Sequence, residues 1–206
     1  MRELQSRSAQ ALSGSLRGLL RRRSVRLSLG EIVEQFEDQG GLGHVLFVLT
    51  LPVLLPLPPG TSMVLALPLL VVAPQIVAGR VRLWLPRWLA GRTVNRQAFV
   101  KLIRRILPLL ERMEALGRPR LLVLTGHLGT RLVGVAATVI ALVLVLPIPF
   151  ANLFPALALG LFALGLTRKD GLLVLGGYAL LGLAALVIAL GVRGVMMFVH
   201  RVFPMG

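Results

Sequence analysis

The sequence predicts an all-α integral membrane protein, and three observations lead to that fold class. The chain has 206 residues, of which 56% are hydrophobic, and its mean hydropathy is +0.83. Three ranges, 39–79, 132–167 and 171–192, contain no Asp, Glu, Lys or Arg. Each is longer than the roughly 18 apolar residues that indicate a membrane span. The composition is therefore not that of a soluble globule or a disordered chain.

The residue types that carry most enzyme and metal chemistry are scarce. The chain has no cysteine, and its three histidines, His44, His127 and His200, are too scattered to give a metal-ligand spacing. No nucleophile elbow or phosphate-binding loop is present in the sequence. We therefore expect no metal, no cofactor and no enzymatic activity.

The positive charge is concentrated between the apolar ranges. The net charge is +15; residues 1–38 hold seven Arg against five acids, and residues 80–131 hold twelve Lys and Arg against two acids. Basic connectors of this kind stay on the cytoplasmic side of a membrane and attract anionic lipids. The charge thus predicts membrane lipids, and not nucleic acid, as partners.

A basic N-terminal arm, residues 1–27, precedes a single membrane domain that begins at Ser28. Ser28 and Glu31 have the spacing of a capping box, and a short apolar stripe follows them along one helical face. Gly40 and Gly41 are typical of a helix end. The pattern predicts a short amphipathic helix that lies at the membrane interface.

Proline interrupts the first two apolar ranges at corresponding places. LPVLLPLPPG at 51–60 resembles LPIPFANLFPA at 146–156 in position and in proline density. Paired proline-broken helices in two halves of a membrane protein indicate an internal repeat with a binding site at the breaks. We expect two repeats, about 28–92 and 118–192, with re-entrant helices. The alternative is that the prolines only allow short helices to pack. The candidate pathway residues are Pro56, Pro58, Gly60, Ser62, Gln75, Pro147, Pro149, Asn152 and Asp170.

The connector at 80–131 has the composition of a membrane-interface segment. Two tryptophans lie among arginines, and an amphipathic helix with an apolar stripe and Pro108 inside it follows. We expect this helix to lie flat on the cytoplasmic interface. The candidate interfacial residues are Trp84, Trp88, Lys101, Arg104 and Arg105.

Residues 171–192 form the cleanest predicted span, and 193–206 form a short tail. Small residues at Ala185 and Ala189, and at Ala156 and Gly160, permit close helix contacts and suggest a homodimer. If each proline-broken range enters and leaves the membrane on the same side, the basic segments are all cytoplasmic. An inverted repeat would instead need an odd number of membrane crossings between its two halves. The charge pattern favours the first topology, and the sequence leaves the sidedness of the tail open.

Residues 28–192 resemble the exopolysaccharide synthesis ExoD family of bacterial inner-membrane proteins. The resemblance rests on LSLGEIVEQFEDQGG and on the ordered motifs P-L-P-P-G, W-L-P, P-I-P-F-x-N and R-x-D-G. It implies a multi-pass protein of the bacterial inner membrane with a role in exopolysaccharide production. The family supplies no established reaction or catalytic residues.

Two functions fit these expectations. One is a transporter or flippase of an anionic or lipid-linked substrate such as a polyprenyl phosphate, because broken helices expose backbone groups to a cavity. The other is an accessory or scaffold protein, without transport of its own, that docks polysaccharide-synthesis enzymes at the membrane. The sequence does not identify the substrate or the energy source.

Overall fold

The computed structural model describes residues 12–21, 27–54, 61–80, 82–94, 96–116, 119–146 and 152–202. Helices make up most of these residues, as the sequence predicts. The longer helices are α1 (Leu12–Arg21), α2 (Leu29–Gly40), α3 (Leu42–Thr50), α4 (Thr61–Val77), α6 (Arg96–Leu116), α7 (His127–Val145), α8 (Leu153–Arg168) and α9 (Gly171–Val202). Shorter elements are α5 (Arg87–Ala90), 3₁₀ turns at Leu51–Leu54 and Leu122–Thr125, and the two-residue strands β1 (Leu27–Ser28) and β2 (Thr93–Val94).

The capping box at the start of α2 is confirmed. The Glu31 amide donates to Ser28 Oγ at 3.3 Å, and the Ser28 amide donates to a Glu31 carboxylate oxygen at 3.2 Å. Just before the cap, β1 pairs antiparallel with β2, and the Leu29 amide donates to the Arg92 carbonyl. These bonds join the start of α2 to the start of α6.

The apolar faces of the amphipathic helices are covered by protein. Within the segment expected to be a basic arm, residues 12–21 form a helix whose Leu12 and Leu16 are fully buried. α1 packs on α6, and Arg17 forms an ion pair with Glu111. The stripe of α6 is also buried, and α6 continues through Pro108. The buried members of that stripe are Phe99, Leu102, Ile103 and Leu110.

Two helical hairpins form the centre of the molecule. The first comprises α3, its 3₁₀ turn and α4, which continues through Pro68 and Pro74; the second comprises α7 and α8. The most extensive contacts between the hairpins join α4 to α7 and α3 to α8. The hairpins therefore pack side by side.

Glycines show that both pairs are antiparallel. At Gly43, near the start of α3, a β-carbon would lie 2.5 Å from Thr167 Oγ1 and 2.9 Å from the Thr167 amide nitrogen, at the end of α8. At Gly134, in the first half of α7, it would lie 2.8 Å from the Val77 amide nitrogen, at the end of α4. The helix backbones can approach this closely only because glycine has no side chain.

This pairing gives the bundle two distinct ends. At the break end, the chain leaves the 3₁₀ turn at Leu54, enters α4 at Thr61, leaves α7 at Val145 and enters α8 at Leu153. At the turn end lie the start of α3, the end of α4, the start of α7 and the junction of α8 with α9. The described helix ends that flank the two proline breaks thus lie at the same end of the bundle.

The last helix, α9, packs back along α8. A β-carbon at Gly177 would lie 2.6 Å from the Phe162 ring, and that ring packs edge-to-face on Tyr178 at 4.8 Å between centroids. Ala156 and Gly160 are buried within the chain, whereas Ala185 and Ala189 are exposed. Of the two small-residue pairs suggested for a homodimer, the one on α8 already packs inside the protomer.

Two of the described helices are long and apolar enough to cross a membrane, His127–Val145 and Gly171–Gly191. Their lengths of 19 and 21 residues correspond to about 28 and 32 Å of helix, close to the roughly 30 Å of a hydrocarbon core. Shorter apolar helices cover Leu42–Leu54, Met63–Val77 and Leu153–Arg168.

Replacing Gly43 with alanine tests the packing of the two hairpins. We expect Gly43→Ala to destabilise the protein by about 1–3 kcal/mol, because the added carbon meets backbone atoms of α8 that cannot move aside. Gly182→Ala is the matched control, because a β-carbon there meets nothing within 4 Å. The measurement is thermal unfolding in detergent, and equal melting temperatures for the two variants would contradict the packing described here.

Candidate functional site

The structure separates the candidate pathway residues into three groups. Asn152 lies at the break end, where it precedes α8, and Ser62 lies in the first turn of α4 with its side chain outside the described part. Gln75 and Asp170 lie at the turn end. The remaining candidates, all in the breaks themselves, are outside the described residues: Pro56, Pro58, Gly60, Pro147 and Pro149.

Asn152 occupies the N-cap position of α8 without capping it. Its side chain makes no cap hydrogen bond, although asparagine is among the strongest N-cap residues. Its Oδ1 atom is buried and has no hydrogen-bond partner among the described residues. A buried amide oxygen without a donor is destabilising by about 1–3 kcal/mol. The atom is therefore a candidate ligand-binding group.

Gln75 holds a loop in place. Its Nε2 donates to the Trp84 carbonyl at 2.7 Å and to the Val71 carbonyl at 3.0 Å, while its Oε1 accepts from the Trp84 amide at 2.8 Å. Both the nitrogen and the oxygen of the Gln75 side chain are thus hydrogen-bonded to backbone groups. The sequence could not reveal this, because the partner lies nine residues further along in an irregular segment.

Asp170 shapes the junction between α8 and α9. It is 5% exposed, and its Oδ1 accepts from the Leu172 amide at 3.0 Å in the first turn of α9. Lys169 before it has a left-handed φ of 53°, and the Gly171 amide after it donates to the Arg120 carbonyl at 2.7 Å. The R-x-D-G motif thus forms the turn between α8 and α9, and a backbone hydrogen bond joins this turn to Arg120.

Gly171 makes this junction possible. A β-carbon there would lie 2.5 Å from the Leu121 carbonyl oxygen, which leaves room only for glycine. Leu121 itself has a left-handed φ of 50°. The last two residues of the motif therefore both have structural roles. Asp170 accepts a hydrogen bond in the first turn of α9, and Gly171 allows the close approach of Leu121.

A second carboxylate, which is not among the candidate site residues, helps to position the loop that carries Trp84. Glu37 of α2 accepts a hydrogen bond from the Leu83 amide at 3.2 Å. Together with Gln75 it fixes the loop that carries Trp84, whose side chain is 61% exposed; Trp88, in α5, is 57% exposed. The two indoles are thus displayed on the surface by a backbone that is held in place.

Partial burial raises the pKa of the Glu37 carboxyl above its ordinary value of about 4.5. The hydrogen bond from the Leu83 amide opposes this rise, the neighbouring carboxylate of Asp38 adds to it, and the charge of Arg82 opposes it; Glu34 makes a smaller contribution that raises the pKa. Burial is the largest of these causes.

The polar face of α6 is strongly basic. Lys101, Arg104, Arg105 and Arg112 are all exposed, while the only described acidic side chain on this helix, Glu111, is paired with Arg17. Because the apolar stripe of α6 packs on the protein, this face is the one available to an anionic surface. In the described residues, no group of three or more acidic, histidine or cysteine side chains could hold a metal ion.

The described residues form a mainly helical protein in which two helices are long and apolar enough to cross a membrane, and comparison with known proteins defines its family. The chain belongs to the ExoD family, whose model is described as exopolysaccharide synthesis and matches residues 12–190. The match begins at the first residue of α1, so α1 is part of the family domain.

Two relatives align with the chain. Protein ExoD of Rhizobium meliloti is 32% identical over 177 residues, which cover 83% of this chain and 73% of that protein. An uncharacterized protein of Synechocystis sp. is 36% identical over 137 residues, which cover 66% of this chain and 65% of that protein. The chain thus matches slightly less than two thirds of the Synechocystis relative. No solved structure matches it.

The pKa of Glu37 gives a prediction for stability against pH. A carboxyl with a raised pKa binds its proton more tightly in the folded state, so stability falls as the pH rises from about 4.5 through the folded-state pKa. Glu37→Gln keeps an oxygen for the Leu83 amide and removes the ionisation. At each pH, the melting temperature of the unmodified protein is subtracted from that of the variant. We expect this difference to be more positive at pH 8 than at pH 4.

The control for this measurement is Glu34→Gln, which removes one negative charge from an exposed position on the same helix. Because Glu34 makes only a small contribution to the pKa of Glu37, this variant should show a much smaller pH trend. A trend of equal size in both variants would attribute the effect to the net charge of α2 and would contradict a specific role of Glu37.

Proposed function

We propose that this protein is embedded in the bacterial inner membrane, with α7 and α9 as spanning helices. Exposed apolar side chains support this proposal, because a core helix of a soluble protein buries such residues. They follow one face of α7 at spacings of three and four residues, and each is 48–76% exposed. The members of this stripe are Leu128, Leu132, Val135, Val139, Leu142 and Leu146.

The turn end faces the cytoplasm in this proposal. Arg80, Arg131, Arg168 and Lys169 lie at that end, whereas the helix ends at the break end fall within ranges that have no charged residue. The positive-inside rule favours this orientation. The exposed indoles of Trp84 and Trp88 would then lie at the cytoplasmic interface, where tryptophan is enriched.

We propose that the protein acts in exopolysaccharide synthesis or export as a transporter or flippase of an anionic, lipid-linked substrate. The observation that carries this proposal is the break end, where the described helix ends beside both proline breaks lie and the Oδ1 atom of Asn152 is buried with no partner among the described residues. Paired broken helices with polar groups at their breaks are typical of transporter binding sites. The family and the named relative supply the link to exopolysaccharide. The proposal includes no catalytic step.

A second function, the docking of polysaccharide-synthesis enzymes, is favoured by the basic face of α6. A charged surface steers and orients an acidic partner without a pathway through the protein. The two functions therefore depend on different residues, which allows an experiment to separate them.

The test is translocation of a fluorescent polyprenyl phosphate in liposomes that contain the purified protein. The transport proposal predicts that Asn152→Leu lowers the rate at least tenfold, because a leucine offers no hydrogen bond to the headgroup. It also predicts that the triple variant Lys101→Ala, Arg104→Ala, Arg105→Ala retains most of the rate.

Complementation of a deletion strain is measured alongside, at matched membrane levels. Loss of complementation only in the triple variant, with no translocation by the unmodified protein while a control flippase is active, would replace transport with docking.

A further inference from the structure

Exposed tryptophan and arginine side chains are gathered at the turn end, beside the end of α4. The Gln75 side chain is hydrogen-bonded to both backbone groups of Trp84, and the Arg80 amide donates to the Gln75 carbonyl at 3.1 Å. A β-carbon at Gly79 would lie 3.4 Å from Nη2 of Arg131, so α7 adds a guanidinium group at the same place. We call this region the tryptophan surface, and its exposed side chains are Arg80, Arg82, Trp84, Arg87, Trp88 and Arg131.

The positive charges of the tryptophan surface have no ion-pair partners in the described part of the chain. None of its four guanidinium groups forms an ion pair or a hydrogen bond with another described side chain. Residues 79–110 contain no Asp or Glu. The charge of Glu37 acts on Arg82, but the Glu37 carboxylate accepts its hydrogen bond from the Leu83 amide. The guanidinium groups are therefore available to an anionic partner.

The depth of the tryptophan surface in the bundle indicates where that partner lies. Arg80 directly follows the charge-free range 39–79, and Arg131 directly precedes the charge-free range 132–167. The pairing of α4 with α7 brings Gly79 against Arg131, so the two charge-free ranges begin at the same depth. Unpaired charges are costly inside hydrocarbon, so this depth marks the edge of the hydrocarbon core in the proposed orientation. The tryptophan surface then faces the headgroups of the cytoplasmic leaflet.

The two indoles favour a lipid over a soluble anion. Trp84 and Trp88 are 61% and 57% exposed, although hydrogen bonds fix the backbone that carries Trp84. An indole has a large apolar body and one N–H donor, which suits the boundary between acyl chains and headgroups. Arginine binds phosphate oxygens in a bidentate manner. An anionic phospholipid offers both partners side by side, whereas a soluble phosphate offers only the second.

We propose that the tryptophan surface binds anionic phospholipids of the cytoplasmic leaflet, with its arginines on the headgroup phosphates and its indoles against the adjoining acyl chains. The inference rests on the membrane orientation of the proposed function and not on transport. It adds a lipid-binding site at the end of the bundle opposite Asn152.

The tryptophans themselves provide the measurement. Trp84 and Trp88 are the two tryptophans of the chain, so its indole fluorescence reports on this surface alone. The protein is reconstituted in phosphatidylcholine liposomes that contain a small fraction of lipid brominated near the headgroup end of its acyl chains, because bromine quenches an indole on contact. Quenching by brominated phosphatidylglycerol is compared with quenching by brominated phosphatidylcholine.

We expect at least a tenfold preference of the surface for phosphatidylglycerol. Each basic residue near an anionic surface contributes roughly a fivefold preference, and the surface has four. Equal quenching by the two lipids would overturn the proposal.

Paired arginine variants test which charges are responsible. Arg82→Gln combined with Arg87→Gln should lower the preference at least fivefold and leave quenching by phosphatidylcholine unchanged. Arg104→Gln combined with Arg105→Gln is the matched control, because it removes two charges from exposed positions on α6. The control should keep the preference. An equal fall in both double variants, or no fall in the first, would overturn the proposal.

The outcomes also separate a failure of the inference from a failure of the proposed function. Equal quenching by the two lipids would keep the membrane orientation and refute the lipid site. Absence of quenching by either lipid would refute both. A preference for phosphatidylglycerol in a protein that translocates no polyprenyl phosphate would support the lipid site and refute transport.

Discussion

The close approach of helix backbones at glycine is the constraint on which the rest of the structure depends. Gly43 and Gly134 fix α3 against the end of α8 and α7 against the end of α4, so the two hairpins can pack only side by side and antiparallel. Helices in lipid gain little from the hydrophobic effect and associate through such close packing. Hydroxyls in these interfaces are satisfied within their own helices, as when Thr167 donates to the Ala163 carbonyl at 2.8 Å. These hydroxyls therefore need no hydrogen-bond partner on the neighbouring helix.

This packing gives the two ends of the bundle different chemistry. At the turn end, the buried carboxylate of Asp170, the amide of Gln75 and the carboxylate of Glu37 are used to hold loops in place. At the break end, Asn152 makes no corresponding bond among the described residues. A bundle stabilised at one end can leave polar groups without partners at the other, which is the arrangement expected where a ligand binds. The proposed transport function uses this asymmetry.

The features that the sequence predicted are those set by neighbouring residues. Ser28 and Glu31 cap α2 because three residues separate them, and α3 and α7 each end two residues before a proline because proline restricts the residue that precedes it. The roles of Gln75 and of the α6 stripe depend on partners that only the fold brings near, and periodicity alone cannot distinguish an apolar face that meets lipid from one that meets protein. Whether the breaks belong to true repeats, or are re-entrant, stays a prediction.

The sidedness of the two ends tests the central claim most directly, and the chain allows a clean measurement because it has no cysteine. Single cysteines would replace Met63 and Leu153 at the break end and Lys169 at the turn end, all three of which are exposed. A membrane-impermeant maleimide is then applied to spheroplasts and to inverted vesicles. The account predicts labelling of positions 63 and 153 in spheroplasts only, and of position 169 in inverted vesicles only. Labelling of all three positions from the same side would contradict it.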